Sequence, residues 1–119
     1  YLGMTVPGFP NFFMIYGPNT NIVVNGSIIF FSEASVRYIV NAVKLLAETG
    51  AKTMEVKGNV HDDFNKRVDD ENAKMAWGIP DAKSWYKNSL GRVSQNWPFK
   101  LVDYWNATIK PDPKDFTLV

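Results

Sequence analysis

A short polar turn at residues 17–21 combines the residue types and the position of a ligand-binding loop. It follows an apolar run at residues 12–16 and precedes a long helical pattern that begins near Ser27. A turn at the carboxyl end of a buried strand opens into the crevice where α/β proteins hold flat cofactors and phosphates. The unpaired amides in the first turn of the helix would face negative charge there. An ordinary β-turn-α connection without a ligand has the same pattern.

The residues around this turn resemble a known family of enzymes. Residues 7–21 (PGFPNFFMIYGPNTN) and 33–39 (EASVRYI) are similar to the last FAD-domain strand and the following helix of the flavin-dependent Baeyer–Villiger and related class B monooxygenases. The aryl-ketone-oxidising branch is the most similar. Further similar stretches lie at residues 84–88 (SWYKN), 91–93 (GRV), 97–98 (WP), 102–105 (VDYW), 112–113 (DP) and 115–116 (DF).

Several hallmarks of the family have no match in this sequence. Family members are several times longer and carry two G-x-G-x-x-G dinucleotide fingerprints, and this chain has none. His61 does not match the family's His-containing fingerprint, and Arg92 does not lie in the context of the catalytic Arg. We therefore expect a C-terminal fragment, with which Tyr1 in place of an initiator Met agrees. On its own it should be inactive, contain no catalytic residue and bind no cofactor.

The resemblance implies a role for two parts of the chain. One part is the flavin wall with its substrate side, and the other is a mobile loop that closes over the nicotinamide and the substrate. Each part has a purely structural alternative. The Gly-Pro-Asn residues of the flavin wall are also the types that form ordinary turns, and the tryptophan of the mobile loop could serve only in packing. The implied residues are Gly17, Pro18, Asn19, Asn21, Ser27 and Ile28 for the cofactor, Val23, Val24 and Asn25 for the substrate, and Trp85 and Asn88 for the lid.

The function implied for the parent protein is Baeyer–Villiger oxidation with FAD and NADPH, in which an oxygen atom is inserted beside the carbonyl of a small ketone. A related N- or S-oxygenating flavin monooxygenase is an alternative, because it shares the Gly-Pro-Asn type of turn. A second alternative belongs to another class. Here the chain is a ligand-free interaction domain, and it forms a homodimer through apolar residues 28–31 and the edges of residues 12–16.

Composition excludes other classes of function. The 13 basic and 12 acidic residues are scattered, which gives no electrostatic case for nucleic acid or a membrane surface. The absence of cysteine excludes disulfides, thiolate zinc sites and cysteine nucleophiles. No apolar run approaches the ~20 residues of a membrane span, and we expect a cytoplasmic protein. The acidic residues of segment 62–71 are interleaved with basic ones, which indicates a solvated helix face and not a metal site.

The elements that position these residues form an α/β or α+β fragment. We expect residues 1–50 to be the last strand and helix of a Rossmann-like FAD-binding domain, and residues 51–119 to be a helical and irregular lid region. Residues 12–16 read as a buried strand. Residues 27–49 predict the strongest helix, capped by Ser27 or Asn25 and ended by Gly50. Its predicted buried stripe is Ile29, Val36, Ile39, Val40, Val43 and Leu46.

The rest of the chain predicts shorter elements. Alternation over residues 53–57 indicates a strand, and residues 59–77 indicate a second helix with Asp62 and Asp63 in its first turn. Residues 81–97 are expected to be irregular or strand-like, Pro98 is expected to open a short helix, and an extended tail is expected from Lys110. The expected buried residues are Val60, Phe64, Val68, Glu71 and Met75 on the second helix, Leu101, Val102 and Trp105 on the third, and Trp77 and Trp97.

Overall fold

The computed structural model describes residues 1–23 and 26–119. Within these residues it contains three α-helices and one two-stranded sheet, a small mixed α/β fragment that confirms the predicted class. Two 3-10 turns, Ala76–Gly78 and Pro113–Asp115, complete the elements. Among the described helices, none is long and apolar enough to span a bilayer. The elements are α1 (Ile28–Thr49), β1 (Met54–Val56), α2 (Gly58–Asn72), α3 (Leu101–Ala107) and β2 (Phe116–Leu118).

The ends of α1 agree with the prediction from its capping residues. Ser27 is the N-cap, and its side-chain oxygen accepts a hydrogen bond from the Ile29 amide at 3.2 Å. Gly50 ends the helix with a φ of 71°, a left-handed conformation that glycine adopts without steric cost. Local chemistry at the two ends therefore sets the length of α1.

The buried face of α1 is not the predicted one. Its fully buried residues are Phe31, Ala34, Ser35, Tyr38 and Ala42. The predicted stripe is wrong for Ile29, Val36, Val40 and Val43, which are exposed. Its other two members, Ile39 and Leu46, are half-buried, and Leu46 packs against the core. At 100° per residue, Val36 and Tyr38 lie on opposite sides of the helix. Apolar residues recur at helical spacing on both sides, so periodicity alone does not show which side meets the core of this chain.

Residues 12–16 do not form the predicted strand. Phe12 and Ile15 are 50% and 52% exposed, and the segment has no ladder of strand hydrogen bonds in the part of the chain that the structure describes. One backbone bond ties it to the N-terminal loop, from the Met14 amide to the Met4 carbonyl at 2.8 Å. A strand needs a neighbour, and the sheet of this chain lies elsewhere.

The sheet joins β1 to the end of the chain. β1 confirms the predicted strand and pairs antiparallel with β2, with Met54 opposite Leu118 and Val56 opposite Phe116. The segment expected to be an extended tail thus supplies the second strand. The pairing closes the chain between residues 60 to 64 positions apart.

Helix α2 begins and ends earlier than predicted. Because it starts at Gly58, Asp62 and Asp63 lie in its second turn and not in its first. Its buried residues are Phe64, Val68 and Asn72, whereas Val60, Glu71 and Met75 are only partly covered. Asn72 takes the interior position because the helix ends there against other polar groups of the chain.

Helix α3 contributes the centre of the core. Tyr104 is fully buried, and its ring centroid lies 4.6 Å from that of Phe31 and 5.1 Å from that of Trp97. The helix starts at Leu101 and not at Pro98. Val102 and Trp105 are 54% and 44% exposed, so their predicted burial is wrong. The short helix turns Tyr104 inward, which directs its neighbours outward.

Candidate functional site

The polar turn at residues 17–21 is tightly packed against the N-terminal loop. The Thr20 hydroxyl donates to the Gly17 carbonyl at 2.7 Å and closes the turn. Asn19 adopts a φ of 57°, the left-handed conformation that asparagine tolerates better than most residues. A Cβ atom at Gly17 would lie 2.2 Å from the Gly3 carbonyl oxygen. The turn therefore requires glycine at its first position.

Residues 93–97 hold the turn from its other side. The Asn19 amide donates to the Ser94 carbonyl at 3.0 Å, and the Asn21 amide donates to the Gln95 carbonyl at 2.8 Å. The Trp97 amide donates back to the Asn21 carbonyl at 2.8 Å, which makes a short parallel bridge between Asn21 and Asn96. This segment occupies the place of a neighbouring strand beside the turn. The sequence contained no periodic signal for this contact.

A small open cavity lies at the turn. Its volume is about 320 Å³, and its lining brings together Gly17, Pro18 and Asn21 of the predicted cofactor residues. The Tyr16 hydroxyl donates to the side-chain oxygen of Asn21 at 2.9 Å beside it. Asn19 differs from the other three because it is 3% exposed and points into the protein. The remaining lining residues, which the sequence did not indicate, are Tyr16, Ser94 and Gln95.

The N-terminus of α1 opens to solvent close to the end of the turn. Ser27 is exposed, and Ile28, the first helical residue, is 47% exposed. A Cβ atom at Gly26 would lie 2.3 Å from the Ile22 side chain. Gly26, just before the N-cap of α1, therefore packs closely against Ile22, the residue that follows the turn. Val23 is 37% exposed. The predicted substrate residues Val24 and Asn25 lie outside the described residues.

The predicted lid residues belong to residues 79–93, which we call the lid segment. Trp85 and Leu90 are 72% and 89% exposed and form its outer part. The side-chain oxygen of Asn88 accepts hydrogen bonds from the Leu90 and Arg92 amides, both at 3.0 Å. Asn88 thus shapes the tip of the segment, while Trp85 presents a large ring to solvent.

Arg92 ties the lid segment to α2. Its Nε donates to a carboxylate oxygen of Asp69 at 3.0 Å, and a terminal nitrogen donates to the Asn65 side chain at 3.1 Å. The sequence placed Arg92 in a C-terminal motif without a role. In the structure the residue anchors the segment near its C-terminal end.

Four asparagines, Asn19, Asn21, Asn72 and Asn96, form a hydrogen-bonded group that we call the asparagine clasp. The Asn19 side chain donates to the carbonyls of Val93 at 2.9 Å and Asn96 at 3.1 Å. The Asn21 side chain donates to the Asn96 side chain at 3.0 Å, and the Asn72 side chain donates to the Asn96 carbonyl at 3.2 Å. Sequence reasoning missed Asn72 and Asn96, because isolated polar residues give no periodic signal for burial.

The polar groups at the turn can bind and orient a ligand but cannot act as acids or bases near neutral pH. These groups are backbone amides, carbonyls, hydroxyls and asparagine side chains, which hydrogen-bond a ligand without exchanging protons near neutral pH. Burial raises the pKa of Tyr104 and of Tyr38 in the neighbouring core, so both phenols stay protonated.

Comparison with known proteins gives consistent similarities over the whole chain. An FAD-binding monooxygenase, ktnD, of Aspergillus niger is 35% identical over 99% of this chain, which matches 20% of that protein. An uncharacterized monooxygenase, y4iD, of Sinorhizobium fredii is 34% identical over 98% of this chain and 18% of its own length. A Baeyer-Villiger monooxygenase of Pseudomonas aeruginosa is 33% identical over 82% of this chain and 19% of its own length. No family model matches the chain.

The chain therefore spans about a fifth of the length of these relatives. All three are named as monooxygenases; the name of one specifies FAD binding, and the name of another specifies Baeyer-Villiger chemistry. The predicted resemblance to part of a flavin monooxygenase is confirmed by these similarities.

Proposed function

This chain is a homologue of part of the FAD-binding and Baeyer–Villiger monooxygenases, and from that premise we propose that it forms the flavin-side wall and the lid of such an enzyme. In this proposal residues 1–50 complete the FAD-binding domain and residues 51–119 form the lid region. The parent protein uses NADPH and inserts an oxygen atom beside the carbonyl of a small ketone. Its cytoplasmic location remains a prediction from the sequence.

The observation that carries this proposal is the exposed N-terminus of α1, whose N-cap Ser27 follows the turn by six residues in the chain. Ser27 and Ile28 lie at the very start of the helix and on its exposed side. First-turn amides have no partner within the helix, and the helix dipole stabilises nearby negative charge by about 0.3–1 kcal/mol. We assign these amides, with Gly17, Pro18 and Asn21, to the edge of the flavin.

The residues present fit a flavin at this position. The cavity at the turn is open, and its lining includes the Ser94 hydroxyl and the backbone of Gly17 and Pro18, which can contact a heterocycle edge. Gly17 carries no side chain, and Asn19 faces inward, so the turn presents mainly backbone to a ligand. When bound, FAD supplies the redox and oxygen chemistry, and the protein supplies orientation and shielding. Val23, with Val24 and Asn25, belongs to the substrate side in this proposal.

The lid role is assigned to Trp85 and its segment. Trp85 is largely exposed, yet the segment is anchored on α2 through Arg92. A large ring on an anchored loop can swing over the nicotinamide and the substrate and exclude water from the reacting atoms. Asn88 supports this motion indirectly by fixing the turn at the tip of the segment.

The proposal predicts ester formation by the longer polypeptide that carries this segment. Supplied with FAD, NADPH and an aryl ketone, it should produce an ester, and Trp85→Ala should slow this product about tenfold, equivalent to about 1.4 kcal/mol in the barrier. Leu90→Ala, a change at a still more exposed site of the same segment, is the matched control and should keep the rate. Product analysis by gas chromatography measures both.

The same assay decides between the two flavin-enzyme alternatives. A thioether offered in place of the ketone tests for an N- or S-oxygenating enzyme. Sulfoxide without any ester from a panel of ketones would assign the parent to that alternative. Neither product, in a protein that retains FAD, would refute the assignment to a monooxygenase.

A second candidate function, self-association of the chain, is favoured by the outer side of α1. Ile29, Val36, Val40 and Val43 form an apolar stripe that is 65%, 47%, 48% and 58% exposed. The structure corrects the expected contact residues, because Phe31 is fully buried and cannot contribute. Exposed apolar patches of this kind tend to find partners. We propose that the isolated chain forms a homodimer through this stripe.

Light scattering and a visible-absorbance scan of the purified chain test this candidate. We expect a colourless dimer that becomes a monomer on the change Val40→Lys, because a charge in the contact is costly to desolvate. Glu48→Lys, which places a lysine on α1 away from the stripe and changes the charge by two units instead of one, should leave the dimer intact. A yellow monomer would contradict self-association and favour flavin binding by the chain itself.

A further inference from the structure

We infer that Asn72 and Asn96 are positioning residues, which hold the polar turn and both ends of the lid segment in one arrangement. The inference rests on the proposed function, since it concerns the relative placement of the flavin-side turn and the lid. Neither residue lines the cavity at the turn. Both act through Asn19 and Asn21.

Asn96 is the centre of the asparagine clasp. It is 0% exposed, and its backbone carbonyl accepts from the side chains of both Asn19 and Asn72. Its side-chain oxygen accepts from Asn21. One residue thus receives hydrogen bonds from two positions of the turn and from the end of α2. In a buried site each of these groups would be costly to leave without a partner.

Asn72 connects the clasp to the N-terminal end of the lid segment. It is 1% exposed, and its side-chain oxygen accepts a hydrogen bond from the indole nitrogen of Trp77 at 2.8 Å. Gly78 packs so closely that a Cβ atom there would lie 1.8 Å from the Asn72 carbonyl oxygen. The lid segment begins at the next residue, so its starting point is fixed on Asn72.

Asn19 connects the clasp to the C-terminal end of the lid segment. Its side chain donates to the Val93 carbonyl, at the last residue of the segment, and to the Asn96 carbonyl. The neighbouring Ser94 amide donates to the Tyr86 carbonyl at 3.2 Å, inside the segment. Both ends of the lid segment therefore meet the same buried network that holds the turn.

The outer part of the lid segment is more exposed than its C-terminal end. Trp85 and Leu90 are mostly exposed, whereas Val93 is 6% exposed. A loop with two fixed ends and an exposed middle closes by bending between its anchors. Because the anchors share the clasp with the turn, the clasp sets where Trp85 arrives relative to the flavin-side turn.

Hydrogen exchange on the whole chain tests this inference with two variants that enter the clasp from opposite sides. Asn72→Leu removes the bonds at the α2 side, and Asn19→Gly removes the bonds at the turn while keeping its left-handed conformation. The reporters are the amides of Asn21 and Trp97 for the turn and those of Asn88 and Ser94 for the lid segment. Asn59→Leu, an exposed change on α2, is the control.

We expect each clasp variant to speed exchange of all four reporters about tenfold, as the loss of one or two net hydrogen bonds implies. The amides of Lys57 and Val119, which belong to the sheet region, should keep their rates in every variant. Acceleration confined to the side of the substitution would overturn the inference, and so would equal acceleration throughout the chain. If Asn72→Leu does not fold, Asn19→Gly decides alone by the same criterion.

A second measurement separates this inference from the proposed function. In the longer polypeptide, Asn72→Leu should raise the hydrogen peroxide released per NADPH consumed, because a misplaced lid no longer shields the flavin. If the four reporter amides respond together but the unsubstituted protein oxygenates no substrate, the proposed function is refuted and the positioning role stands. Oxygenation with an unchanged peroxide yield in Asn72→Leu would overturn the positioning role itself.

Discussion

Tyr104→Ala should lower the free energy of unfolding by about 3–5 kcal/mol, the largest effect we expect from a single substitution in this chain. Tyr104 is fully buried in α3, and its ring lies against Phe31 and Trp97 at the centre of the core. Its hydroxyl donates to the Leu2 carbonyl at 3.1 Å. Removal of the ring leaves a cavity between α1, α3 and the N-terminal loop, which a rigid core fills only in part.

Two further variants separate the parts of this effect. Tyr104→Phe keeps the ring and removes the hydroxyl, with its hydrogen bonds to the Leu2 carbonyl and the Ser35 hydroxyl, and we expect a loss of about 1 kcal/mol. Val102→Ala in the same helix, at a side chain that is 54% exposed, should change stability by less than about 0.5 kcal/mol. Urea unfolding followed by circular dichroism gives all three values. Equal losses in Tyr104→Ala and Tyr104→Phe would show that the ring does not support the core.

Gly17→Ala should lower the free energy of unfolding by about 2–3 kcal/mol, because the added methyl group meets backbone that cannot move aside. The new Cβ atom would lie 2.2 Å from the Gly3 carbonyl oxygen, well inside van der Waals contact. Relief requires the turn to separate from the N-terminal loop, which also strains the bonds of Asn19 and Asn21 to residues 93–97. The effect should therefore appear both in stability and in the geometry of the candidate site.

Gly58→Ala is the matched glycine control. No atom lies within 4 Å of a Cβ atom built at Gly58, which is the first residue of α2. Alanine is the better helix former, so this variant should gain up to about 1 kcal/mol. Thermal unfolding of the two variants in parallel measures the contrast. Equal stability of Gly17→Ala and the unsubstituted chain would disprove the close packing of the turn on Gly3.

Features that depend on neighbouring residues were correctly predicted from the sequence. The cap at Ser27 and the stop at Gly50 bound α1 because each acts on the helix end beside it. The strand at β1 and the burial of Trp97 also agree with the prediction. The family resemblance, carried by local motifs along the chain, is confirmed by the similar proteins.

Features that depend on distant partners were not predictable in this way. Residues 12–16 are as apolar as a buried strand, but strand formation needs a neighbouring strand, which the described chain does not place there. The two apolar sides of α1 are equivalent in periodicity, and only the packing of Phe31 and Tyr38 against α3 and the N-terminal loop selects one of them. The other side stays exposed.

The candidate site shows the same division. The sequence by itself determined the polar turn and the start of α1, because these are local properties of residue type and spacing, whereas the choice between a lid role and packing for Trp85 stayed open. Only the tertiary structure decided that residues 93–97 hold the turn and that Asn72 and Asn96 join it to the lid segment. The Asn19 side chain bonds carbonyls 74 and 77 positions away. Contacts at such separations form when the whole chain folds, and no local pattern encodes them.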